Sequence, residues 1–163
     1  MSVRECARCK GVASNGKRCK RSTCVTSKYC WQHLRKEMGL RVSESRIRGA
    51  GKGLFATRDF HPGEMISKYT GDVLGQDDLY ERYGEYDQPY VLCVDIDHCI
   101  DARSTQAAVA RYANACDHPR TGRASMCNSR FIHDSLVATK HIWEGDEILV
   151  PYQRPTWYGE ESD

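Results

Sequence analysis

Three short stretches decide how this chain folds: Gly51-Lys52-Gly53-Leu54-Phe55-Ala56, Arg111-Tyr112-Ala113-Asn114-Ala115-Cys116 and Gly145-Asp146-Glu147-Ile148-Leu149-Val150-Pro151-Tyr152. The first is rich in glycine, which permits positive φ angles and close backbone approach. The second contains an asparagine, whose amide both donates and accepts hydrogen bonds. The third ends an apolar run with a tyrosine. Each stretch alone is a weak signal, and the specific feature is their order and separation.

Two further stretches lie between the first and the second, Arg58-Asp59-Phe60-His61-Pro62-Gly63-Glu64-Met65-Ile66 and Tyr69-Thr70-Gly71. The whole series, over about residues 40 to 158, resembles SET-domain protein-lysine methyltransferases of the minimal, viral-like type without a zinc cluster after the SET domain. The resemblance implies methyl transfer from S-adenosylmethionine to a lysine in a basic protein tail, such as that of a histone. It also implies a mostly β (α+β) fold: a β-clip of small curled sheets with a C-terminal pseudoknot.

The residue pattern from position 40 onward agrees with a mostly β domain, because short alternating runs are separated by turn residues. The predicted strands are Leu40-Arg41-Val42, Met65-Ile66-Ser67-Lys68-Tyr69, Val91-Leu92-Cys93-Val94, Phe131-Ile132, Leu136-Val137-Ala138 and Ile148-Leu149-Val150. The best helical candidate runs from Gly75 to Tyr83, with early acidic residues. We therefore expect a zinc-binding module over residues 1–38, a SET domain over 39–158 and a tail over 159–163, with a junction at Arg35 to Gly39.

Charge divides the chain unevenly. Residues 1–41 hold 11 Lys/Arg against 2 Asp/Glu, whereas residues 42–163 hold 13 against 20. The basic part can attract nucleic-acid phosphate and the acidic part a basic peptide, although two solvated surfaces explain the division equally well. The sequence contains no apolar signal core and no run of membrane-spanning length, so a soluble, intracellular protein without a membrane partner is predicted. The family resemblance implies the nucleus, of the source cell or of a host.

Cysteines are concentrated at the start of the chain, where Cys6, Cys9, Cys19, Cys24, Cys30 and His33 lie in a segment too short and polar to bury a core. In a reducing compartment, metal ligation and buried thiols explain nine cysteines better than disulfides do. Thiolates with one imidazole favour a structural zinc site.

The segment also resembles small zinc modules of large DNA viruses and some protists. That resemblance implies Cys9, Cys19, Cys30 and His33 as ligands, with Cys6 and Cys24 as spare thiols, unless Cys6 replaces Cys9. The basic run from Lys17 to Arg21 is either a nucleic-acid or nucleosome contact, a nuclear-import patch, or a solvated loop.

The SET resemblance also assigns the cofactor site. Its residues are Lys52, Gly53 and Leu54 around the methionine part of S-adenosylmethionine, and Arg111, Tyr112, Asn114 and Ala115 in the second stretch. Two positions depart from the family: Ala115 replaces a histidine and Asp117 a zinc-binding cysteine. With no cysteine after Cys127, closure of the site is expected from Trp157 at the cofactor and Tyr158 at the lysine channel. The remaining cysteines, Cys93, Cys99, Cys116 and Cys127, are predicted to be buried thiols rather than a second metal site.

Catalysis is assigned by the same resemblance to Tyr152, with Tyr69 lining the channel. A free lysine has a pKa near 10.4, so only about one side chain in two thousand is neutral at pH 7, and the site must help a proton leave. Val150 occupies the position that sets the methylation number, and its small side chain predicts more than one methyl per lysine. The alternative function is a non-catalytic chromatin or nucleic-acid adaptor. A homodimer that completes the channel is a further expectation.

Overall fold

The structure, a computed structural model, describes residues 6–23, 27–85, 90–103, 109–117 and 126–152. The strands are β1 (Ala7–Arg8), β2 (Ser22–Thr23), β3 (Leu40–Glu44), β4 (Lys52–Ala56), β5 (Met65–Lys68), β6 (Asp72–Leu74), β7 (Val91–Asp95), β8 (His98–Asp101), β9 (Asn114–Ala115), β10 (Ser129–Ile132), β11 (Ser135–Ala138) and β12 (Glu147–Val150). The helices are α1 (Trp31–Met38), α2 (Gln76–Tyr83) and a 3-10 turn, Val109–Tyr112. The prediction of a mostly β fold with small sheets and few helices is confirmed.

One four-stranded sheet, in the order β3-β4-β12-β9, carries the three stretches quoted first. β3 and β4 form an antiparallel hairpin in which Leu40 pairs with Ala56. β12 lies antiparallel to β4, and β9 lies parallel to β12 with Asn114 opposite Leu149. Segments that are far apart in sequence therefore meet on neighbouring strands.

Two three-stranded sheets complete the fold, in the orders β10-β11-β5 and β6-β8-β7. Helix α2 follows β6 and begins one residue later than predicted, with Asp77 and Asp78 in its first turn, where carboxylates favour the helix N-terminus. Leu79 is its buried residue. Each predicted strand is found within a few residues of its predicted ends.

Helix α1 was not predicted. The segment expected to be a junction, Arg35 to Gly39, is the second half of this helix and its cap, because Gly39 adopts a left-handed φ of 67° and ends it. Leu34 on α1 is 1% exposed and belongs to the principal core. The fully buried large side chains of that core are Leu34, Leu40, Leu54, Phe60, Leu136, Ile142, Ile148 and Val150. Within the described residues, no helix is long and apolar enough to cross a membrane.

The prediction of buried thiols in the SET region is wrong, because all four cysteines form disulfides, Cys93 with Cys99 and Cys116 with Cys127. Cys93 lies directly opposite Cys99 on the β7-β8 ladder. The second disulfide joins the residue after β9 to the approach to β10, and it packs beside Ile47. Sequence spacing did not reveal either pair, since the first depends on strand register and the second on the tertiary approach of two segments outside the strands.

Candidate active site

The turn between β3 and β4 is the glycine-rich stretch of the sequence. Gly49 and Gly51 have φ angles of 81° and 72°, a region that side chains disfavour, so the turn requires glycine at both positions. The backbone N–H of Ser45 donates to the Gly51 carbonyl over 2.8 Å and closes the turn. The exposed turn therefore has a fixed backbone that faces solvent.

Asn114 ties β9 to this turn. Its side-chain nitrogen Nδ2 donates to the Lys52 carbonyl over 2.9 Å and lies 3.5 Å from the carboxylate of Glu147. Both neighbours are acceptors, so they fix the nitrogen of the amide inward, and among the described residues no donor reaches its oxygen Oδ1. Two predicted cofactor residues, Lys52 and Asn114, are thus joined directly.

Glu147 is a buried carboxylate behind the turn, 6% exposed. Oε1 accepts from the Ser45 hydroxyl over 2.5 Å, and Oε2 accepts from the Arg46 backbone N–H over 2.8 Å. A Cβ on Gly53 would collide with Oε1, which explains the glycine at that position. Among the described residues no Lys or Arg side chain forms an ion pair with Glu147.

The other predicted cofactor residues are placed as follows. Leu54 is completely buried in the principal core, so its backbone alone remains for a cofactor contact. Ala115 is half-buried and pairs with Val150 in the parallel ladder. Tyr112 packs partly buried against the core. Trp157 and Tyr158 lie outside the described residues, as does the C-terminal segment whose threading was expected.

Arg111 lies away from the glycine turn. Its Nη1 donates to the carbonyls of Ala102 and Arg103, over 2.9 and 3.1 Å. Its guanidinium stacks 4.2 Å from the centre of the Tyr90 ring and 5.0 Å from that of Tyr112. The structure therefore places Arg111 with the aromatic residues beside Tyr69, rather than with Lys52 and Gly53.

Two tyrosine hydroxyls face backbone carbonyls at this aromatic end. Tyr152 Oη donates to the Ala113 carbonyl over 2.8 Å, and Tyr69 Oη donates to the Tyr90 carbonyl over 2.7 Å. Tyr90 has a φ of 67°, which is uncommon for a bulky residue and turns its carbonyl toward Tyr69. Each of the two predicted catalytic hydroxyls is thus oriented by a backbone carbonyl from another segment of the chain.

Both phenols stay protonated at neutral pH. Desolvation of the hydroxyl, which bonds to the Ala113 carbonyl although 58% of the residue surface is exposed, raises the pKa of Tyr152 to about 12, with further contributions from Tyr90 and Asp117. Burial, followed by the influence of Tyr152, raises the pKa of Tyr69 further. The influence of Tyr152 on Tyr69 places the two side chains near one another, in an environment where a tyrosinate is disfavoured.

Asp117, which replaces a family cysteine, has a specific contact. Its Oδ1 accepts from the backbone N–H of Tyr152 over 3.0 Å. The exposed carboxylate therefore positions the backbone of the predicted catalytic residue. Val150, two residues earlier, is fully buried in the principal core.

A buried carboxylate, Asp101 at the end of β8, connects this strand to helix α2 near the aromatic residues. It accepts from the Tyr83 hydroxyl over 2.6 Å and from Arg82 Nη1 over 2.8 Å. Burial opposes its ionisation, but these hydrogen bonds outweigh burial and lower its pKa. Any side chain on Gly71 would collide with the Asp101 carbonyl, which accounts for the glycine in Tyr69-Thr70-Gly71.

The predicted metal ligands come together in the N-terminal segment. Cys9, Cys19, Cys30 and His33 are all buried, and one donor atom from each lies within 4.8 Å of the others. Nδ1 of His33 is 3.5 Å from Cys9 Sγ and 3.4 Å from Cys30 Sγ. Tetrahedral thiolate ligands of zinc are about 3.8 Å apart for a bond of about 2.3 Å, so the donor set suits such an ion. The prediction of Cys6 as a spare thiol or as a ligand in place of Cys9 is wrong, because Cys6 is disulfide-bonded; Cys24 lies outside the described residues.

Surrounding groups orient the four ligands. Nε2 of His33 lies 2.9 Å from the Val12 carbonyl, which leaves Nδ1 for a metal. Cys30 precedes helix α1; burial raises the pKa of its thiol, but hydrogen bonds from the His33 backbone and from neighbouring groups outweigh burial and lower it. Arg8 Nε donates to the Cys19 carbonyl and Arg18 Nε to the Cys9 carbonyl, both over 3.0 Å. Each arginine thus lies next to one ligand cysteine in sequence and bonds to the backbone of the other, which holds the two loops together.

Sequence reasoning missed three residues of the site, Glu147, Tyr90 and Asp101. An acidic residue at the head of an apolar run was the available signal for Glu147. Nothing in the sequence indicated the burial of Asp101 or the backbone conformation of Tyr90.

Comparison with known proteins agrees with this geometry. The model of the SET domain family matches residues 51–153, well over half of the chain. The chain belongs to the SET domain family. It is 32% identical over 128 residues to the N-lysine methyltransferase KMT5A-B of Xenopus laevis, covering 72% of this chain and 37% of that protein. It is 29% identical over 117 residues to the histone-lysine N-methyltransferase trithorax of Drosophila melanogaster, covering 64% of this chain and 3% of that protein.

Among solved structures, the fold is similar to ctPRC2 in an autoinhibited conformation bound to S-adenosylmethionine. The TM-score is 0.58 at 22% identity, over 71% of this chain and 15% of that one. The chain thus spans little more than a third of the length of its KMT5A relatives and far less of the others.

Proposed function

We propose that the protein is a protein-lysine N-methyltransferase that uses S-adenosylmethionine and acts on a basic tail, in particular that of a histone. The observation that carries this is the presence of two half-sites, with Asn114 on β9 and Tyr152 just after β12 of the four-stranded sheet, and Tyr69 just after β5 of another sheet. A glycine turn with Asn114 lies on one side, and the paired hydroxyls of Tyr69 and Tyr152 lie on the other. The names of the methyltransferase relatives support the same reaction.

The cofactor half fits a ligand with a cationic amino-acid head. Asn114 presents its oxygen because Lys52 and Glu147 hold its nitrogen, and the negative carboxylate lies directly behind. When bound, S-adenosylmethionine supplies an electrophilic methyl group. The residues Lys52, Gly53, Leu54, Asn114 and Ala115 would hold it, mainly through backbone groups.

The lysine half would act by positioning. The hydroxyls of Tyr69 and Tyr152 and nearby carbonyls orient the substrate amine, and alignment of reacting atoms is a large source of rate. Because both phenols keep their protons, neither serves as a base at neutral pH. Solvent water is therefore the acceptor of the lysine proton.

Strand β7 is the surface proposed for the substrate peptide. It is an edge of its sheet among the described strands, so an extended tail can add to it by backbone hydrogen bonds. β7 begins beside Tyr90, whose carbonyl contacts Tyr69. Asp95 and Asp97 near its far end are exposed and favour a basic peptide.

Zinc is the proposed occupant of the Cys9, Cys19, Cys30 and His33 cluster. Three sulfur donors and one imidazole form the closed set typical of structural zinc. Its role would be to stabilise the fold of the first 33 residues, in which the principal buried cluster consists of the ligand cysteines.

The zinc module would also contact nucleic acid, consistent with action in a nucleus. Arg8 and Arg18 are used internally, but Lys10, Lys17, Lys20 and Arg21 are exposed and form no ion pair with described residues. Phosphate contacts of this kind are salt-dependent. A Lys17→Glu/Lys20→Glu variant should bind a DNA duplex more weakly than wild type in fluorescence anisotropy, whereas Arg130→Glu on β10 should not. Equal binding by all three would refute the contact.

Methyl transfer is tested with labelled S-adenosylmethionine on purified histones and on a cell lysate. Wild type should label a protein, and Tyr152→Phe should reduce the rate by about a hundredfold or more. No labelling of histones or lysate by the wild type would favour a non-catalytic adaptor. Sedimentation at micromolar concentration tests the predicted homodimer separately.

A further inference from the structure

The position of Glu147 is unusual for a carboxylate. It is 6% exposed, it accepts from Ser45, Arg46 and Asn114, and it has no cationic partner among the described residues. A buried carboxylate without a counter-charge costs free energy, so such a group persists where it has a role or where strong hydrogen bonds compensate it. Its donors here are all neutral.

The contacts of Glu147 connect every part of the cofactor half-site. Ser45 and Arg46 begin the glycine turn, Gly53 lies just after it, and Asn114 comes from β9. These segments are separated by many residues in sequence; Asn114 itself reaches the Lys52 carbonyl, and Glu147 adds the contacts to Ser45 and Arg46 at the start of the turn. Glu147 therefore contacts both the start of the turn and the asparagine, and can fix the two relative to one another.

The effect on Asn114 is specific. An asparagine amide can turn by 180°, which would exchange its donor and acceptor. Oε1 of Glu147, together with the Lys52 carbonyl, accepts only the orientation with Nδ2 inward. The reversed orientation would bring the amide oxygen against a negative charge.

We propose that Glu147 is a positioning residue of the cofactor site: it locks Asn114 with its oxygen toward the ligand and provides the negative charge that favours a cationic amino-acid head. The inference rests on the proposed function, since it takes S-adenosylmethionine as the ligand. Glu147 does not touch the reacting atoms, and it acts through Asn114 and the turn.

The test is a double-mutant cycle on cofactor affinity, measured by isothermal titration calorimetry with S-adenosylmethionine. Glu147→Gln keeps the side-chain size but removes the charge and one acceptor, and should weaken binding about tenfold. Asn114→Ala should weaken it similarly. Because the two residues act as one unit, the double variant should be no weaker than the weaker single variant. The exposed Glu144→Gln is the matched control and should bind as wild type does.

Each outcome decides the inference. Glu147→Gln within twofold of wild type, or losses that multiply in the double variant, would overturn it. If Glu147→Gln does not fold, as judged by circular dichroism, Ser45→Ala replaces it in the cycle. That variant removes one partner of the carboxylate and should weaken binding by about threefold, again without further loss in the Asn114→Ala background. Absence of binding by the wild type would instead refute the proposed function.

Discussion

The N-terminal module and the SET region of this chain are stabilised in different ways. The buried cluster of the module consists of Cys9, Cys19 and Cys30, with Tyr29 packed against it. The SET region has a core of aliphatic and aromatic side chains drawn from three sheets. A segment whose core cluster consists of thiols lacks the apolar area that stabilises a fold, so folding of the module is expected to depend on the proposed zinc, whereas folding of the SET region is not.

The two regions are nevertheless joined by helix α1. His33 and Leu34 are consecutive residues, one in the Cys/His cluster and the other in the principal core. Loss of the Cys/His cluster, or of the core packing around Leu34, should therefore destabilise helix α1 and through it the other region.

The largest effect is expected from Cys30→Ser, which removes one of the proposed thiolate ligands. Structural zinc sites contribute on the order of 10 kcal/mol of apparent folding energy, so the module should unfold and lose its metal. Metal content by atomic absorption and limited proteolysis within residues 6–30 would show this. A variant that keeps one equivalent of zinc and resists the protease would contradict the proposed ligand set.

Leu34→Ala should cost about 3 kcal/mol, because it opens a cavity where a fully buried leucine now packs. Urea unfolding followed by circular dichroism gives the free energy of unfolding. The exposed Gln32→Ala in the same helix is the control and should change it little. A loss below 1 kcal/mol would mean that α1 is not part of the core.

Asp101→Asn should destabilise the SET region by about 2 kcal/mol, since charged hydrogen bonds from Arg82 and Tyr83 are weakened. The lowered pKa means that the contribution of Asp101 is present above the ordinary value of 3.8 and is lost as the pH falls through the lowered pKa. The difference between variant and wild type in urea should therefore shrink in acid. A constant difference from pH 7 to pH 2 would contradict the ionised state of Asp101.

The smallest expected effect is the change of the methylation rate with pH. Because Tyr152 has a pKa raised to about 12, its proton is retained at pH 7 to 9, and its contribution to stability is lost only as the pH rises beyond 10 through 12. The methylation rate should then follow the lysine amine and rise about tenfold per pH unit, or about 1.4 kcal/mol. A plateau between pH 7 and 8 in the chemical step would indicate a different ionisation.

The two regions also differ in how far their sites could be predicted from sequence. The four predicted metal ligands lie together in the structure, and their grouping could be predicted because their spacing is local and resembles that of small zinc modules. The SET motifs were identified as stretches, but Glu147 was missed because its partners Ser45 and Arg46 are 102 and 101 residues away. The pairing of Cys93 with Cys99 depends on strand register, which residue periodicity does not specify.

The central claim is that the lysine amine is methylated in the channel beside Tyr69 and Tyr152. Tandem mass spectrometry of histones incubated with the protein and saturating S-adenosylmethionine tests it most directly. The account predicts methyl groups on lysine and, because Val150 leaves space, more than one methyl on the same side chain. Strict monomethylation would contradict the role of Val150, and methyl groups on another residue type, or none at all, would contradict the central claim.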